Sequence, residues 1–360
     1  MLDGVKILDV SRLLPGPAAT WFLSGMGAQV DRVETPKGDL TRHLPPYIQG
    51  SGAYFAATSW GKRSLCLDFY HPKACTLLTQ LLAQYDILVE GFKPGVLEQI
   101  GLSPSRLHEL YPSLIIARLS GYGQDGTLRD RVGHDINYIA EVGILAAQSR
   151  GEHGYAIPST QIADMGGALC AALNIAAALY ERTNTGLGRV LDISLTEAAL
   201  SLYAPMLTGL MAEGRSAEPG GELLTGGATI YGTYRCADGK WLAVGAVEPK
   251  FQAKIRALAG TLNRESLRTL FQSKNREYWL DILGDACVSP VLEAPEVQKS
   301  PWIHSRNLIQ EGEIRPPNGR FGQTIPQLGE NSIQILKEGG FSSTAIDAFL
   351  AEGLISIPSK

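Results

Sequence analysis

Hydrophobic residues in the first half of the chain fall in short continuous runs separated by stretches with helical spacing. "VKILDV" (5–10) is an apolar run of strand length, "PGPAATWFLSGMGA" (15–28) has the spacing of a helix ending in glycine, and "QVDRVE" (29–34) predicts a second strand. The alternation continues through strand "SLCLDF" (64–69), helix "HPKACTLLTQLLAQY" (71–85), strand "DILVE" (86–90), a short helix after "KPG" (93–95) and strand "LIIARLS" (114–120). Repeated β-α-β units need crossovers that cover both sheet faces. The pattern therefore predicts an α/β fold whose large Rossmann-like domain is built on a parallel sheet.

Further along, Asp164 precedes an Ala/Leu-rich helix that ends near "NTG" (184–186), followed by strand "RVLDISL" (189–195) and the apolar "TEAALSLYAPMLTGLM" (196–211). Apolar periodicity stops at "AEGRSAEPGGELLTGG" (212–227). Beyond it, "TIYGTYRCADGKWLAVGAVE" (229–248) predicts two strands around a "DG" turn, then helices and a proline-rich stretch near "RPPNGRFGQTIPQ" (315–327). The expected division is a large Rossmann-like domain over 1–200, a linker over 201–227, a small α+β domain over 228–315, and a segment over 316–360 that returns to the large domain.

Composition narrows this picture without changing it. The 360 residues are 44% hydrophobic and 19% charged with net charge −4, an ordinary globular balance with no basic excess for nucleic acid. The five cysteines, Cys66, Cys75, Cys170, Cys236 and Cys287, show no C-x-x-C and read as residues of a reducing compartment. There is no basic leader before the first strand. The longest apolar run, "ALCAALNIAAALY" (168–180), is too short to span a bilayer, so the expectation is a soluble cytoplasmic protein with no membrane partner.

Three stretches carry candidate chemistry. "GYGQDG" (121–126) satisfies G-x-G-x-x-G literally, but "TLRDRVG" follows where a dinucleotide fold needs a helix, and the strand before it is about the fifth instead of the first. A Gly-rich loop is the better reading. In "GHDINYIAEVG" (133–143), Asp135 is a candidate N-cap that places His134 at a helix start, where the helix dipole disfavours imidazolium. By itself this stretch serves equally as a turn bearing a surface histidine. Asp164 before "MGGALCAAL" (165–173) is either a plain N-cap or a carboxylate beside a glycine-permitted close approach. The other histidines have no compact ligand spacing, and no metal site is expected.

The ordered stretches "PGPAA" (15–19), "GKRSLCLDF" (61–69), "VEGFKPGVLEQIGL" (89–102), "ARLSGYGQDG" (117–126), "GHDINY" (133–138), "ADMGGA" (163–168) and "AVGAVEPKF" (243–251) resemble the family III CoA-transferases over nearly the whole chain and, within them, the alpha-methylacyl-CoA racemases. The resemblance implies an acyl-CoA thioester as substrate, no cofactor beyond the CoA it carries, and an interlocked homodimer. Its active sites would lie between the large domain of one subunit and the small domain of the other. Transferases of the family tend to have tyrosine before the aspartate where this chain has His134.

On the same ground, His134 and Asp164 are the expected proton-transfer pair of a racemase, with Glu248 holding the histidine. In a transferase Asp164 is instead the nucleophile. A non-catalytic acyl-CoA-binding protein is a further alternative, disfavoured by the presence of both groups. The positions matching the family's CoA contacts are Thr35, Leu67, Asp68, Phe69, Tyr70, Gly91, Phe92, Lys93, Gln99, Gly133, Asp135, Ile136, Asn137 and Tyr138. Lys93 is the clearest phosphate partner. Thr35 and Gln99 stand where racemases carry arginines, and Arg32, Lys37, Lys62 or Arg63 are the candidate replacements.

Overall fold

The structure is a computed structural model and describes residues 1–358. Contacts divide the chain into two compact units: residues 1–142, 159–203 and 307 onward form the first, and residues 143–158 with 204–306 form the second.

The first unit is built on a seven-stranded sheet. Its strands are β1 (Lys6–Asp9), β2 (Gln29–Glu34), β3 (Arg63–Leu67), β4 (Ile87–Glu90), β5 (Ile115–Ser120), β6 (Val190–Ser194) and β7 (Ile355–Ser356). Their spatial order is β6-β5-β4-β1-β2-β3-β7, all parallel except β7, which pairs antiparallel with β3 at Ile355 and Leu67. Without that edge strand the order is that of a doubly wound sheet, in which the chain builds outward from β1 to β3 and then restarts on the other side at β4.

Period-2 alternation sends neighbouring residues of each strand to opposite cores. Ile7, Ile87, Val89 and Ile115 join one cluster with Ala18, Phe22, Ala168 and Ile175. Leu8, Leu88 and Ile116 join the other with Leu77, Leu81, Ile335 and Leu336. Helix α1 (Pro15–Gly25) starts on a proline at its first position, where the missing N–H costs nothing. It lies against the long helix α3 (Ile162–Thr185), and α2 (Asp135–Glu141) also contacts α3. At 24 residues α3 is longer than its central apolar run and is long and apolar enough to cross a bilayer. Its buried face of Gly166, Gly167, Ala168, Ala171, Ala172, Ile175 and Ala178 is core of this unit.

The end of the chain seals the β3 edge, which otherwise exposes unpaired backbone groups. The Asp68 N–H donates to the Leu354 carbonyl, and the Cys66 N–H donates to Ser332 Oγ.

The second unit holds three antiparallel strands, Tyr231–Arg235, Trp241–Gly245 and Val288–Val291. Helices Pro249–Ala259, Arg264–Gln272 and Arg276–Leu283 cover them. The core joins Tyr234, Leu242, Val244, Ile255, Leu267, Phe271 and Trp279, whose indole N–H donates to the Phe271 carbonyl. Asp238 and Gly239 make the expected hairpin turn: Gly239 sits at φ +80 and the Lys240 N–H donates to Asp238 Oδ1.

Several expected boundaries differ from those that contacts draw, and the second unit ends at Arg306, not at 315. Helix Leu195–Glu213 runs straight through position 200, and the stretch expected as a linker lies largely inside the second unit. There Leu223–Gly227 forms a turn whose Gly226 carbonyl accepts from Arg264 Nη2 at 2.6 Å. Residues 143–158, with a short hairpin at 150–155, also belong to the second unit.

Candidate active site

In an open parallel sheet the loops leaving the carboxyl ends of the strands form the ligand crevice, with its centre where the strand order reverses, here beside β1 and β4. Most of the expected contact residues of the first unit occupy such loops. Thr35 follows β2, is exposed, and closes a turn by accepting the Gly38 N–H at its carbonyl. After β3, Asp68 Oδ1 accepts the Tyr70 N–H at 3.0 Å, leaving Tyr70 95% exposed. After β4, the Glu90 carboxylate accepts the Phe92 N–H at 2.7 Å and shapes the turn Gly91-Phe92-Lys93, with Lys93 exposed. The Phe69 ring meets the Phe92 ring edge-on at 6.1 Å, joining the two turns. Leu67 is different: it is the last residue of β3 and its side chain is fully buried in the core. Gln99 is exposed at the end of the short helix Val96–Gln99.

Of the four cations expected to stand in for missing arginines, three are committed inside the fold. Arg32 is buried with Nη2 2.9 Å from Asp39. Arg63 pairs with Asp31 at 2.6 Å and with Glu338 at 2.8 Å. Lys62 is buried, donates to the Pro17 carbonyl and Thr20 Oγ1, both at 2.7 Å, and lies 3.8 Å from Asp9. Burial pushes its ammonium down to about 7 against the pull of Asp9. These cations offset the carboxylates Asp9, Asp31 and Asp39, which are buried too deep to be left unpaired. Lys37 alone of the four is exposed.

The loop after β5 contains "GYGQDG" and leads to α2. No helix opens directly from it; Gly123 and Gly126 sit at φ +92 and +81. The motif thus lacks the helix N-terminus that a dinucleotide pyrophosphate needs directly after it. The glycines instead admit Tyr138, whose buried ring would lie 2.6 Å from a Cβ on Gly121 and 2.8 Å from one on Gly133. The Tyr138 hydroxyl donates to the Gly133 carbonyl at 2.6 Å, and Tyr122 packs edge-on against its ring at 5.1 Å. Burial, then the nearby Asp164 charge, pushes the phenol up to about 12.

At the next step the structure corrects two expectations. The N-cap of α2 is His134, in extended backbone at φ −124, and Asp135 is the first helical residue. The His134 N–H donates to Asn137 Oδ1 at 3.0 Å, and the histidine is exposed, as are Ile136 and Asn137. Likewise Asp164 does not precede α3. The N-cap is Gln161, which makes no side-chain capping bond, and Asp164 is the third helical residue.

The acceptor for that first turn comes from α2. Asp135 Oδ1 accepts the Ala163 N–H at 2.6 Å and the Asp164 N–H at 3.1 Å, so the residue after His134 holds the backbone of Asp164. Burial first, and the Asp135 carboxylate second, push the Asp164 carboxyl up to about 6. A signal for this bridge exists in the sequence: a helix whose N-cap is glutamine leaves its first N–H groups in need of an outside acceptor.

Glu248 belongs to the second unit, where it is the exposed N-cap of Pro249–Ala259 and its carbonyl accepts the Phe251 and Gln252 N–H groups. That unit also has an open cavity of about 890 Å³ lined by Thr225, Tyr231, Thr233, Arg264 and Cys287 among others. None of the expected site residues lines it.

The chain is 35% identical to an alpha-methylacyl-CoA racemase of Mus musculus, covering 96% of this chain and 95% of the relative. It is 26% identical to a succinyl-CoA:glutarate CoA-transferase of Homo sapiens, covering 98% and 90%. A CAIB/BAIF family protein from Brucella suis superposes with a TM-score of 0.84 at 26% identity, covering 94% of this chain and 99% of that one. The sequence profile of CoA-transferase family III matches residues 2–335, and the chain belongs to that enzyme family.

Proposed function

We propose that this enzyme is a racemase that interconverts the R and S forms of 2-methyl-branched acyl-CoA thioesters. The observation that carries the reading is the junction of α2 and α3, where the helix capped by His134 is tied by Asp135 to a carboxyl poised near 6 on Asp164. A group that must both take and return protons works best with a pKa near the operating pH.

In the proposed reaction the thioester acidifies the α-hydrogen. One of the pair removes that proton, leaving a planar enolate with its charge on the thioester oxygen. The other, which carries a proton, delivers it to the opposite face, so configuration inverts and the enzyme ends with the proton on the first group. A backbone N–H at the start of α2 is suited to stabilise the enolate oxygen, since Asp135 already engages those of Ala163 and Asp164 on α3. Glu248 orients His134. Thr35, Asp68 to Tyr70, Gly91 to Lys93, Gln99 and Gly133 to Tyr138 contact the CoA portion, while Leu67 supports them from the core, and the reaction needs no further cofactor. We place the catalytic groups in sites shared between the subunits of a homodimer. The racemase relative at 35% identity supports this reading. Similarity to the succinyl-CoA:glutarate CoA-transferase favours a second one, in which Asp164 attacks the thioester and passes CoA to an acceptor acid.

Deuterium uptake separates the two. Incubated in heavy water with a 2-methylacyl-CoA and no acceptor acid, the enzyme is expected to wash deuterium into the α-position. His134→Ala and Asp164→Asn should each lower that rate by at least ~10²-fold while remaining folded. Acceptor-dependent product with no exchange would overturn the racemase reading.

A further inference from the structure

We propose that Asp135 is a positioning residue of the proton-transfer site: its carboxylate holds the first turn of α3, and with it Asp164, against the helix that begins at His134. The inference rests on the racemase reading for the role of Asp164 and moves Asp135 from the CoA contacts to the catalytic frame.

The geometry is specific. One oxygen of Asp135 accepts two backbone N–H groups, those of Ala163 at 2.6 Å and Asp164 at 3.1 Å. Gln161 makes no side-chain capping bond, so α3 supplies no acceptor of its own to these donors. Asp135 directly follows His134, and the backbones carrying the two proton-transfer groups are therefore joined through a single atom. Sliding either helix by an ångström breaks at least one of the bonds, and misplacement on that scale costs orders of magnitude in rate.

The same carboxylate also acts on Asp164 through space. Burial is the larger cause of the raised Asp164 pKa, and the Asp135 charge is the second. The other ionisable groups around it are few. Tyr138 on α2 has its phenol raised, with Tyr122 against its ring, and Glu141 pairs with Arg131 at 2.9 Å. Helix α1 carries no ionisable side chain. Arg118 of β5 is engaged by Glu90 and Glu98, while Asp192 and Glu197 are exposed. Among the described residues, Asp135 is thus the group that touches Asp164 both mechanically and electrostatically.

Two substitutions separate these actions. Asp135→Asn keeps an acceptor oxygen and loses the charge; Asp135→Ala loses both. The Asp164 titration would be followed by carboxyl carbon NMR of aspartate-labelled protein, assigned with Asp164→Asn, beside the pH profile of α-deuterium exchange. In Asp135→Asn the Asp164 midpoint should fall below that of the unmodified enzyme, with the matching limb of the exchange profile moving to lower pH. In Asp135→Ala kcat should drop by at least ~10²-fold with KM little changed. An undiminished kcat in folded Asp135→Ala overturns the proposal, as does a loss confined to KM. If Asp135→Ala does not fold, Asp135→Glu, which keeps the charge but displaces the acceptor oxygen, decides by the same kcat and KM measurement. If the unmodified enzyme exchanges no α-hydrogen, the racemase reading fails by itself, and the carbon titration still decides whether Asp135 acts on Asp164.

Discussion

Burial keeps the Asp164 carboxyl near 6 even though it sits in a first helical turn, where N–H groups and the helix dipole favour the anion. This has a consequence for stability that is separate from catalysis. A carboxyl raised from an ordinary 3.8 to about 6 is, between those pH values, protonated in the folded chain and ionised in the unfolded one. Below that window the group is neutral in both states and carries no penalty. As pH rises through it the folded state loses ground, and above about 6 the full penalty stays. Asp164→Asn, a neutral side chain of the same shape, is therefore expected to be more stable than the unmodified enzyme at pH 8 by on the order of 1 kcal/mol after allowance for solvent screening. The gain should shrink to nothing by about pH 4. Thermal melts of both proteins across that range check the prediction; an equal offset at both ends would show that ionisation of Asp164 is not its source. At this scale the sequence displayed the helix-start residues with the wrong capping roles. His134, Asp135 and Asp164 were visible as helix-start groups, but Asp135 proved to cap the neighbouring helix instead of its own. That exchange depends on which helices meet, and no local window contains it.

The elements themselves were largely legible because parallel strands buried on both faces read as uninterrupted apolar runs and their helices as amphipathic stretches. Less legible was what joins them. "NTGLG" (184–188) reads as a helix end, and Gly186 at φ +71 is the left-handed residue that such an end requires. Gly188 serves a different purpose. A Cβ there would sit 2.0 Å from the Leu114 carbonyl oxygen and 2.3 Å from its carbon, on backbone that leads into β5 and cannot step aside. The Gly188 N–H also donates to the Pro112 carbonyl at 2.8 Å. Gly186→Ala should thus cost about 1 kcal/mol, the strain of a left-handed alanine. Gly188→Ala should cost about 3 kcal/mol or more, because the β5 and β6 register must open to admit it. Urea unfolding of the two variants checks the order; equal costs would mean that the β5 edge yields more easily than its hydrogen bonding suggests. Nothing in the sequence separated these glycines, since the atoms that confine Gly188 come from the distant turn that leads into β5.

At the scale of the whole molecule, strand alternation foretold a parallel sheet but not its order, and the second unit proved to be assembled from two separate stretches of chain. Such discontinuity leaves no local mark in composition. The large exposed apolar residues of α3, Leu169 at 53%, Leu173 at 70% and Tyr180 at 74%, lie on the face turned away from the core of their own unit. A helix this apolar on its outer side is suited to burial against another chain, as the proposed homodimer requires. If each active site takes His134 from one subunit and Glu248 from the other, complementation follows from the arithmetic of mixed dimers. A subunit bearing His134→Ala paired with one bearing Glu248→Gln has one site with both substitutions and one with neither. Co-expression of the two variants should then restore α-deuterium exchange in the heterodimers to about half the unmodified rate, although each homodimer alone is impaired. If instead both residues act within one chain, every site in the mixed dimer carries a defect, and no rate above that of the better single variant should be recovered. Purification through two different tags, one on each variant, isolates the heterodimer and makes the distinction a direct rate measurement.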